Sequence, residues 1–332
     1  MSGMVAQLQR LRAGLNVGLD FARALINARA KTFLLLAILL AAVASAFSAH
    51  YNRYYLGLAI DVAVNIILAV SLNLINGHTG QFSLGHAGFM AVGAYTAAAI
   101  TLHIGPMLPA ALGSVLFAGA LFAGGLFAAL AGLAVGVPTL RLRGDYLAIV
   151  TLGFGEIIRV ILQNMDFVGA ASGLDGIPEK TTLFWAFGLA AVTVYVIGCL
   201  VSSTYGRGFI AVHDDEVAAS ASGINPTRYK VTAFVIGAFF AGIAGGLFAH
   251  HKLFLSPTNF DFMKSIDIVV MVILGGMGRT GGVILAAILL TLLPEFLRPF
   301  AEYRMIIYSL LIIGLMIARP QGLFSLGRAK AA

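Results

Sequence analysis

Three consecutive acidic residues, Asp214, Asp215 and Glu216, form the most distinctive charged group in a sequence that is otherwise mostly apolar. Acidic side chains at the start of a helix are stabilised by the positive end of its dipole. Small residues follow, Gly223 is suited to end a helix, and Asn225–Pro226 favours a turn. The pattern predicts a short capped helix that fits a groove in another protein, the alternative being a solvated connector. The residues of this predicted docking helix are Asp214, Asp215, Glu216, Ala218, Ala219, Gly223, Ile224 and Asn225.

Two glycine-rich segments interrupt long apolar runs. The first break is GHTGQFSLGH at 77–86, and the second is GGMGRTGG at 275–282. Irregular backbone at membrane depth is tolerated only where protein or a water-filled cavity satisfies it, and paired breaks of this kind indicate a transport site. The alternative is that these glycines only allow close helix packing. Polar residues such as Gln81, Ser83 and His86 contribute nothing to close packing, so they favour the transport site.

A few polar residues lie inside the apolar runs, where ionisable groups are costly and face the interior or an aqueous path. Glu156 and Arg159 are three residues apart on one predicted helix and can form an ion pair. The other polar residues inside the predicted spans are Asp61, Asn65 and Asn73. These residues do not form the chain of acids and histidines that a proton relay needs. The seven histidines and the single cysteine form no metal-binding pattern, so we expect no metal site.

The composition requires a lipid environment for most of the chain. Of 332 residues, 60% are hydrophobic and 11% are charged, whereas a soluble domain averages about 25% charged. The net charge of +7 does not indicate nucleic-acid binding, because the basic residues lie at the ends of apolar segments. Residues 1–31 combine leucines at helical spacing with arginines, which predicts an amphipathic helix on the inner leaflet. A disordered basic tail is the alternative.

The apolar runs predict an all-α polytopic membrane protein with about ten transmembrane helices. The range that the runs allow is eight to ten. A spanning helix needs about 20 mostly apolar residues, and one run is short enough to cross only half of the bilayer. An outer-membrane barrel is excluded because the runs are too long for its strands. The candidate spans are 33–49, 55–75, 86–103, 110–137, 146–165, 183–203, 231–252, 265–277, 282–298 and 305–318.

The distribution of Lys and Arg sets the orientation, because cytoplasmic segments carry the excess of basic residues. It predicts that both termini are cytoplasmic and that the loop at 206–230 lies on the cytoplasmic side between spans six and seven. The predicted organisation is an N-terminal segment at 1–31, a transmembrane permease domain at 32–320 and a tail at 321–332. Spans two to five and seven to ten are a candidate inverted repeat, since each half contains one break.

Three segments of the sequence resemble one known family. They are GHTGQFSLGHAGFMAVGAYTAA (77–98), GFIAVHDDEVAASASGINPTRYKVTAFVIGAFFAGIAGGLFA (208–249) and GGMGRTGGVILAAILLTLLPEFLR (275–298). All three closely resemble the branched-chain amino acid ABC transporter permeases of the LivM type. The resemblance runs from about residue 55 to 325 and leaves the N-terminal segment outside.

The resemblance implies a permease subunit of an importer in the bacterial inner membrane, and not an enzyme. Its implied partners are a second, LivH-like permease, two ATP-binding subunits and a periplasmic binding protein. ATP and Mg²⁺ would bind to the ATP-binding subunits, and no cofactor is expected on this chain, which has no phosphate-binding loop of the Gly-x-x-x-x-Gly-Lys-Ser/Thr type. In this family the predicted docking helix is the coupling helix that contacts the ATPase.

The resemblance also implies that the two breaks line the translocation path. An amino acid zwitterion needs polar groups for its charged ends and an apolar wall for its side chain. We expect Gln81, Ser83 and His86 to supply the polar contacts, and Phe82 and Phe89 the wall. The candidate path residues are Gly77, Gly80, Gln81, Phe82, Ser83, Gly85, His86, Phe89, Gly275, Gly276 and Gly278.

Three other functions compete with this one. The first is a permease of the same superfamily that carries urea, short amides or simple sugars. The sequence contains no feature that distinguishes such a permease from an amino acid permease. An ion-coupled secondary transporter would need an ion site, and the sparse, scattered intramembrane acids argue against one. A channel would not need a capped cytoplasmic helix.

Overall fold

The computed structural model describes residues 31–45, 52–107, 109, 112–139, 145–298 and 303–318. Nearly all of the predicted N-terminal amphipathic segment at 1–31, and the tail at 321–332, lie outside the described residues. Both remain predictions.

The described part of the chain is helical and has no β-strand, apart from one isolated antiparallel bridge between Leu174 and Leu255. A π-helical turn at Leu74–His78 extends the second helix. The helices are α1 (Lys31–Ser45), α2 (Arg53–Asn73), α3 (His86–Ile104), α4 (Gly113–Thr139), α5 (Asp145–Gln163), α6 (Leu183–Ser202), α7 (Thr204–Asp214), α8 (Glu216–Ala221), α9 (Pro226–Lys252), α10 (Phe262–Gly275), α11 (Thr280–Phe296) and α12 (Arg304–Ala318).

Each predicted span coincides with one of these helices. Within the described residues, six helices are long and apolar enough to cross a membrane, namely α2, α3, α4, α5, α6 and α9, while α1 and α11 are apolar but shorter. The prediction of an all-α polytopic protein is therefore confirmed, whereas the number of crossings remains a prediction. Helix α10 has 14 residues and reaches only about 21 Å, less than the ~30 Å hydrocarbon core.

Helix α2 is the central element of the bundle. It packs against α6, α9, α10 and α11, and nearly every side chain from Ile60 to the π-helical turn is buried. The cause is visible in its sequence, which is apolar on all sides from Ile66 to Val70. A helix of that kind is stable only when protein or lipid surrounds it completely.

Glycines bring α3, α4 and α9 into backbone contact. A Cβ on Gly93 would overlap the backbone of Gly242, and a Cβ on Gly245 would overlap the carbonyl oxygen of Met90. Gly124 lies against the carbonyl oxygen of Gly93. In lipid, the hydrophobic effect does not drive helices together. Small residues instead let the backbones approach closely, and van der Waals packing then holds the helices. These glycines therefore have a packing role.

Large apolar side chains cover the outer surface of the bundle. The exposed side chains include Phe122 and Phe127 of α4, Tyr146 and Ile149 of α5, and Phe184 of α6. A protein in water would bury such a surface, whereas lipid or a partner subunit covers it in a membrane.

Replacing Gly93 with alanine should destabilise the protein, because the new methyl group meets backbone that cannot rotate away. Overpacking of this kind costs about 1–3 kcal/mol, and we expect a lower unfolding temperature for the purified protein in detergent. The matched control is Gly119→Ala in α4, where no atom lies within 4 Å of the added methyl group. Equal unfolding temperatures for the two variants would contradict the packing role.

Candidate translocation and coupling sites

Helix α8 is capped at its N-terminus by Asp215. The Asp215 Oδ1 atom accepts hydrogen bonds from the backbone N–H groups of Val217 at 2.8 Å and Ala218 at 2.9 Å. The predicted capped helix therefore exists, with one correction, while its docking role stays a prediction. Asp214 is the last residue of α7, so only Asp215 and Glu216 stand at the start of α8.

The C-terminus of α8 is closed by Gly223, as its sequence position predicted. Gly223 has a φ of +82°, which side chains rarely adopt. The Gly223 N–H donates to the Ser220 carbonyl at 3.0 Å, and the Ile224 N–H donates to the Ala219 carbonyl at 3.0 Å, the Schellman pattern. Asn225 then caps α9 by accepting from the Arg228 N–H at 3.3 Å.

One ion pair ties α8 to the membrane bundle. The Lys230 Nζ atom lies 2.8 Å from Glu216 Oε2, and Lys230 is buried. Lys230 therefore holds α8 against α9 and is not a lysine directed to lipid headgroups. Ala219 faces inward, while Val217, Ala218, Ser220 and Ala221 are exposed. This exposed face is narrow because three of its four side chains are small.

Helix α7 connects α8 to the first break. Its Tyr205 ring stacks on Tyr229 of α9 with centroids 4.5 Å apart, and the Phe209 ring packs edge-on against the same Tyr229. At the end of α7, His213 lies against Gly80, where an added Cβ would come 2.6 Å from His213 Nδ1. The loop at 206–230 and the first break are thus in direct contact.

Hydrogen bonds in and beside the first break satisfy part of its backbone. The Asn76 Oδ1 atom accepts from the Ser83 N–H at 3.1 Å, and the Gln81 N–H donates to the Ile75 carbonyl at 3.1 Å. Gln81 Nε2 also donates to Thr79 Oγ1 at 2.9 Å. These bonds explain why the break contains polar residues, since irregular backbone in a membrane needs partners from the protein.

Most of the predicted path side chains are packed inside the protein in this conformation. Gln81, Ser83, His86 and Phe89 are buried, and Phe82 is half-buried. His86 Nε2 shares a hydrogen bond of 2.9 Å with Ser71 Oγ, and the Phe89 ring contacts the His86 ring edge-on. Their prediction as path residues is not tested by this arrangement.

Several buried polar atoms around the first break have unused hydrogen-bonding capacity. Within the described residues, no partner is found for Asn73 Nδ2, His78 Nε2, Ser83 Oγ or His86 Nδ1. A buried polar group without a partner costs about 1–3 kcal/mol. Such a concentration marks a region whose polar groups are available for other contacts.

The two breaks meet in space. Asn73 Oδ1 accepts a hydrogen bond of 2.9 Å from the Gly278 N–H, and Gly77 lies directly against Gly278. Gly276 and Gly278 have φ values of +91° and +79°. Near them, Gly275 packs on the backbone of Val283. We call Asn73, Gly77 and Gly278 the break junction.

Gly85 joins the first break to α5. A Cβ at this position would overlap the Thr151 carbonyl, and the neighbouring Leu84 N–H donates to Thr151 Oγ1 at 3.0 Å.

Helix α5 also contains the predicted ion pair. Arg159 Nε lies 2.7 Å from Glu156 Oε2, which confirms that prediction.

A polar cavity of about 480 Å³ lies at the opposite end of α2 from the break junction. We call it the charged cavity. Asp61 Oδ2 lies 2.8 Å from Lys252 Nζ, and Lys264 Nζ donates to Asn65 Oδ1 at 3.3 Å. Asp267 lines the same cavity. Sequence reasoning treated the two lysines only as markers of orientation and did not single out Asp267. The signal that could have found them is the three-residue spacing of Lys264 and Asp267, which places both on one helix face.

Comparison with known proteins identifies the family. A family model described as the permease component of the branched-chain amino acid transport system matches residues 54–318. The chain belongs to this permease family. The permease is 40% identical to the LivM permease proteins of Salmonella typhimurium and Escherichia coli K12, over 89% of this chain and 75% of each relative. It is also 29% identical to Escherichia coli LivH over 39% of this chain and 41% of that relative. No solved structure matches.

The break junction of this permease should be sensitive to one methyl group. Replacing Gly278 with alanine combines a strained positive φ with a contact 3.2 Å from the Gly77 carbonyl oxygen, so we expect a loss of about 1–3 kcal/mol in stability. Thermal unfolding in detergent measures it. The control is Gly281→Ala, two residues into α11, where the added methyl group meets no atom within 4 Å. A Gly278→Ala variant as stable as the control would show that the junction tolerates disruption.

Proposed function

We propose that this chain is a permease subunit of an ATP-binding-cassette importer that carries branched-chain amino acids across the bacterial inner membrane. The observation that carries the proposal is the family match over residues 54–318, together with 40% identity to two LivM proteins. The capped helix α8, in an exposed position between α7 and α9, supports an importer driven by partner subunits.

The proposed assembly contains a second, LivH-like permease, two ATP-binding subunits that hold ATP and Mg²⁺, and a periplasmic substrate-binding protein. Named LivH proteins among the relatives support the pairing of two related permeases. Energy would then reach this chain from outside, through contact with an ATP-binding subunit.

Helix α8 is the proposed coupling helix. Its exposed small residues would enter a cleft of the ATP-binding subunit, while Glu216 holds the opposite side to Lys230. Movement of α8 would reach the first break through α7, because His213 contacts Gly80. An energy source changes access only if it favours one conformation over another. The caps make α8 stiff enough to transmit such a preference.

The break junction is the proposed gate of the translocation path. Opening would separate Gly77 from Gly278 and release the Asn73 hydrogen bond. The buried polar atoms of Ser83 and His86 would then face the path, where they could contact the charged ends of a substrate. The hydrogen bonds that now hold the break explain how the path stays closed between transport cycles.

The proposed topology has ten membrane-embedded helices, with both termini cytoplasmic and an inverted relation between spans two to five and seven to ten. The support is the coincidence of each predicted span with a helix and the placement of basic residues. Helix α10 is too short to cross alone, so the backbone after it would complete the crossing.

Reagents that cannot cross the membrane test this orientation. In a Cys199→Ser background, Ser222→Cys follows α8 and Thr258→Cys lies between α9 and α10, and both positions are exposed. We expect a maleimide added to intact spheroplasts to label Thr258→Cys at least tenfold faster than Ser222→Cys. Inverted vesicles should reverse the preference. Equal labelling of both positions from one side would rule out the proposed orientation.

The function itself is tested by reconstitution of the whole assembly in liposomes. We expect uptake of L-leucine only with ATP, and abolition of uptake by Glu216→Arg or Gly223→Leu. The first change reverses the charge opposite Lys230, and the second forces a side chain into a left-handed conformation. Both variants should insert in the membrane but no longer co-purify with the ATP-binding subunits.

The matched control is Arg207→Gln, an exposed residue of α7 that makes no contact described for α8. It should retain both uptake and co-purification. Leucine uptake by this chain alone under an ion gradient would overturn the proposal, as would normal co-purification of both coupling variants.

A further inference from the structure

The charged cavity is built from one face of each of four helices. Leu58, Asp61 and Asn65 lie one turn apart on α2, and Lys264, Asp267 and Met271 follow the same rule on α10. Helices α9 and α11 supply Phe248, Lys252, Leu290, Thr291 and Glu295. Because charged residues within a membrane bundle are expensive, their convergence on one cavity indicates contact with water or a polar ligand.

Some of the charges in the cavity are already neutralised inside the protein. Asp61 pairs with Lys252 at 2.8 Å, and Glu295 pairs with Arg298 at 3.3 Å. These pairs leave little free charge on the rim. The Asp61–Lys252 pair also fixes the ends of α2 and α9 relative to each other.

Lys264 and Asp267 are different. Within the described residues, no carboxylate lies within 4 Å of the Lys264 ammonium, and Asp267 takes part in no hydrogen bond or ion pair. Lys264 is half-buried, and its side-chain contact is the Asn65 amide oxygen. Asp267 is exposed. A structural network would pair the half-buried Lys264 with this carboxylate, since an unpaired half-buried charge is unfavourable. They stand three residues apart on α10 with opposite charges.

The Asn65 side chain is held in position to receive Lys264. Its Nδ2 atom donates to Thr291 Oγ1 at 2.9 Å, and Thr291 Oγ1 donates to the Ala287 carbonyl at 2.6 Å. This chain of hydrogen bonds turns the Asn65 oxygen toward Lys264. The ammonium is therefore oriented before any ligand arrives, which lowers the entropy cost of binding.

We propose that the charged cavity binds the zwitterion of a branched-chain amino acid, with its carboxylate at Lys264 and its ammonium at Asp267. This inference rests on the proposed function and names the binding site that precedes the gate. The side chain of the amino acid would contact Val64, Met271 and Leu290, which form the apolar wall. The volume of about 480 Å³ lies within the usual range for small-molecule sites, roughly 300–1,000 Å³.

The same two helices connect this site to the gate. Helix α2 runs from Asp61 in the cavity to Asn73 at the break junction, and α10 runs from Lys264 toward Gly278. A ligand that bridges Lys264 of α10 to the face of α2 would act on the relative position of both helices. The site is therefore placed where occupancy and gate opening can influence each other.

Protection of an introduced cysteine measures binding without relying on transport. In the assembled transporter with Cys199→Ser, Leu58→Cys places a thiol in the charged cavity, and Leu116→Cys places one in a separate cavity beside Lys180. We expect L-leucine to slow modification of Leu58→Cys by a small methanethiosulfonate reagent at least fivefold, and to leave Leu116→Cys unchanged. Neither 4-methylpentanoate nor 3-methylbutylamine, each with one charge, should protect.

Removal of the cation tests the role assigned to Lys264. Lys264→Met keeps the length of the side chain and should abolish protection and reduce ATP-dependent leucine uptake at least tenfold. ATP hydrolysis stimulated by the loaded binding protein should persist, because coupling is intact. Lys180→Met, which removes a lysine from the other cavity, should retain protection and uptake.

Each outcome bears on one proposal. Two results would overturn the site. One is protection of Leu58→Cys that persists when Lys264 is replaced by methionine. The other is a failure of leucine to protect Leu58→Cys at any concentration. Protection that follows the phosphatidylethanolamine content of the liposomes instead of leucine would also overturn it, because the cavity would then hold a lipid headgroup. Protection by leucine without any ATP-dependent uptake would preserve the site and overturn the proposed function.

Discussion

One hydrogen bond holds the two irregular segments of this permease together. Asn73 stands at the end of the central helix and accepts the backbone N–H of Gly278, which lies in the other break. The bond satisfies a backbone donor that irregular structure would otherwise leave unpaired in the membrane. It also fixes the end of α2 to the segment that follows α10. Gly77 makes the contact possible because any side chain there would occupy the space of Gly278.

Two kinds of contact divide the molecule into a rigid part and a responsive part. Where α3, α4 and α9 meet, Gly93 and Gly242 bring backbones together with no polar side chain between them. Such contacts depend on shape alone and have no alternative partner to move to. Around the breaks, short polar side chains such as Asn76 and Ser83 hold the backbone, and hydrogen bonds of that kind can exchange partners at modest net cost. The responsive part is therefore anchored on a frame that does not need to change.

Most of the fold could be predicted from sequence because lipid allows few solutions. Apolar runs bounded by charges, glycines and prolines mark the helices, and local signals such as Asp215, Gly223 and Asn225 mark their caps. These features depend on residues close in the chain. The junction of Gly77 with Gly278 could not be predicted, because it depends on how distant helices pack. The partner of Lys230 could not be predicted for the same reason, since only the fold brings Glu216 within reach of it.

Helix α8 is shaped mainly by residues of its own segment, and this affects how such permeases can diversify. Its shape is set almost entirely by residues within the segment, through Asp215 at one end and Gly223 at the other, with Lys230 as its fastening to the bundle. The surface that we propose for contact with an ATP-binding subunit can therefore change while the membrane bundle keeps its sequence. Under the proposed function, separate parts of the chain would determine the ATPase and the substrate, and exchange of one short segment would fit the permease to a new ATPase.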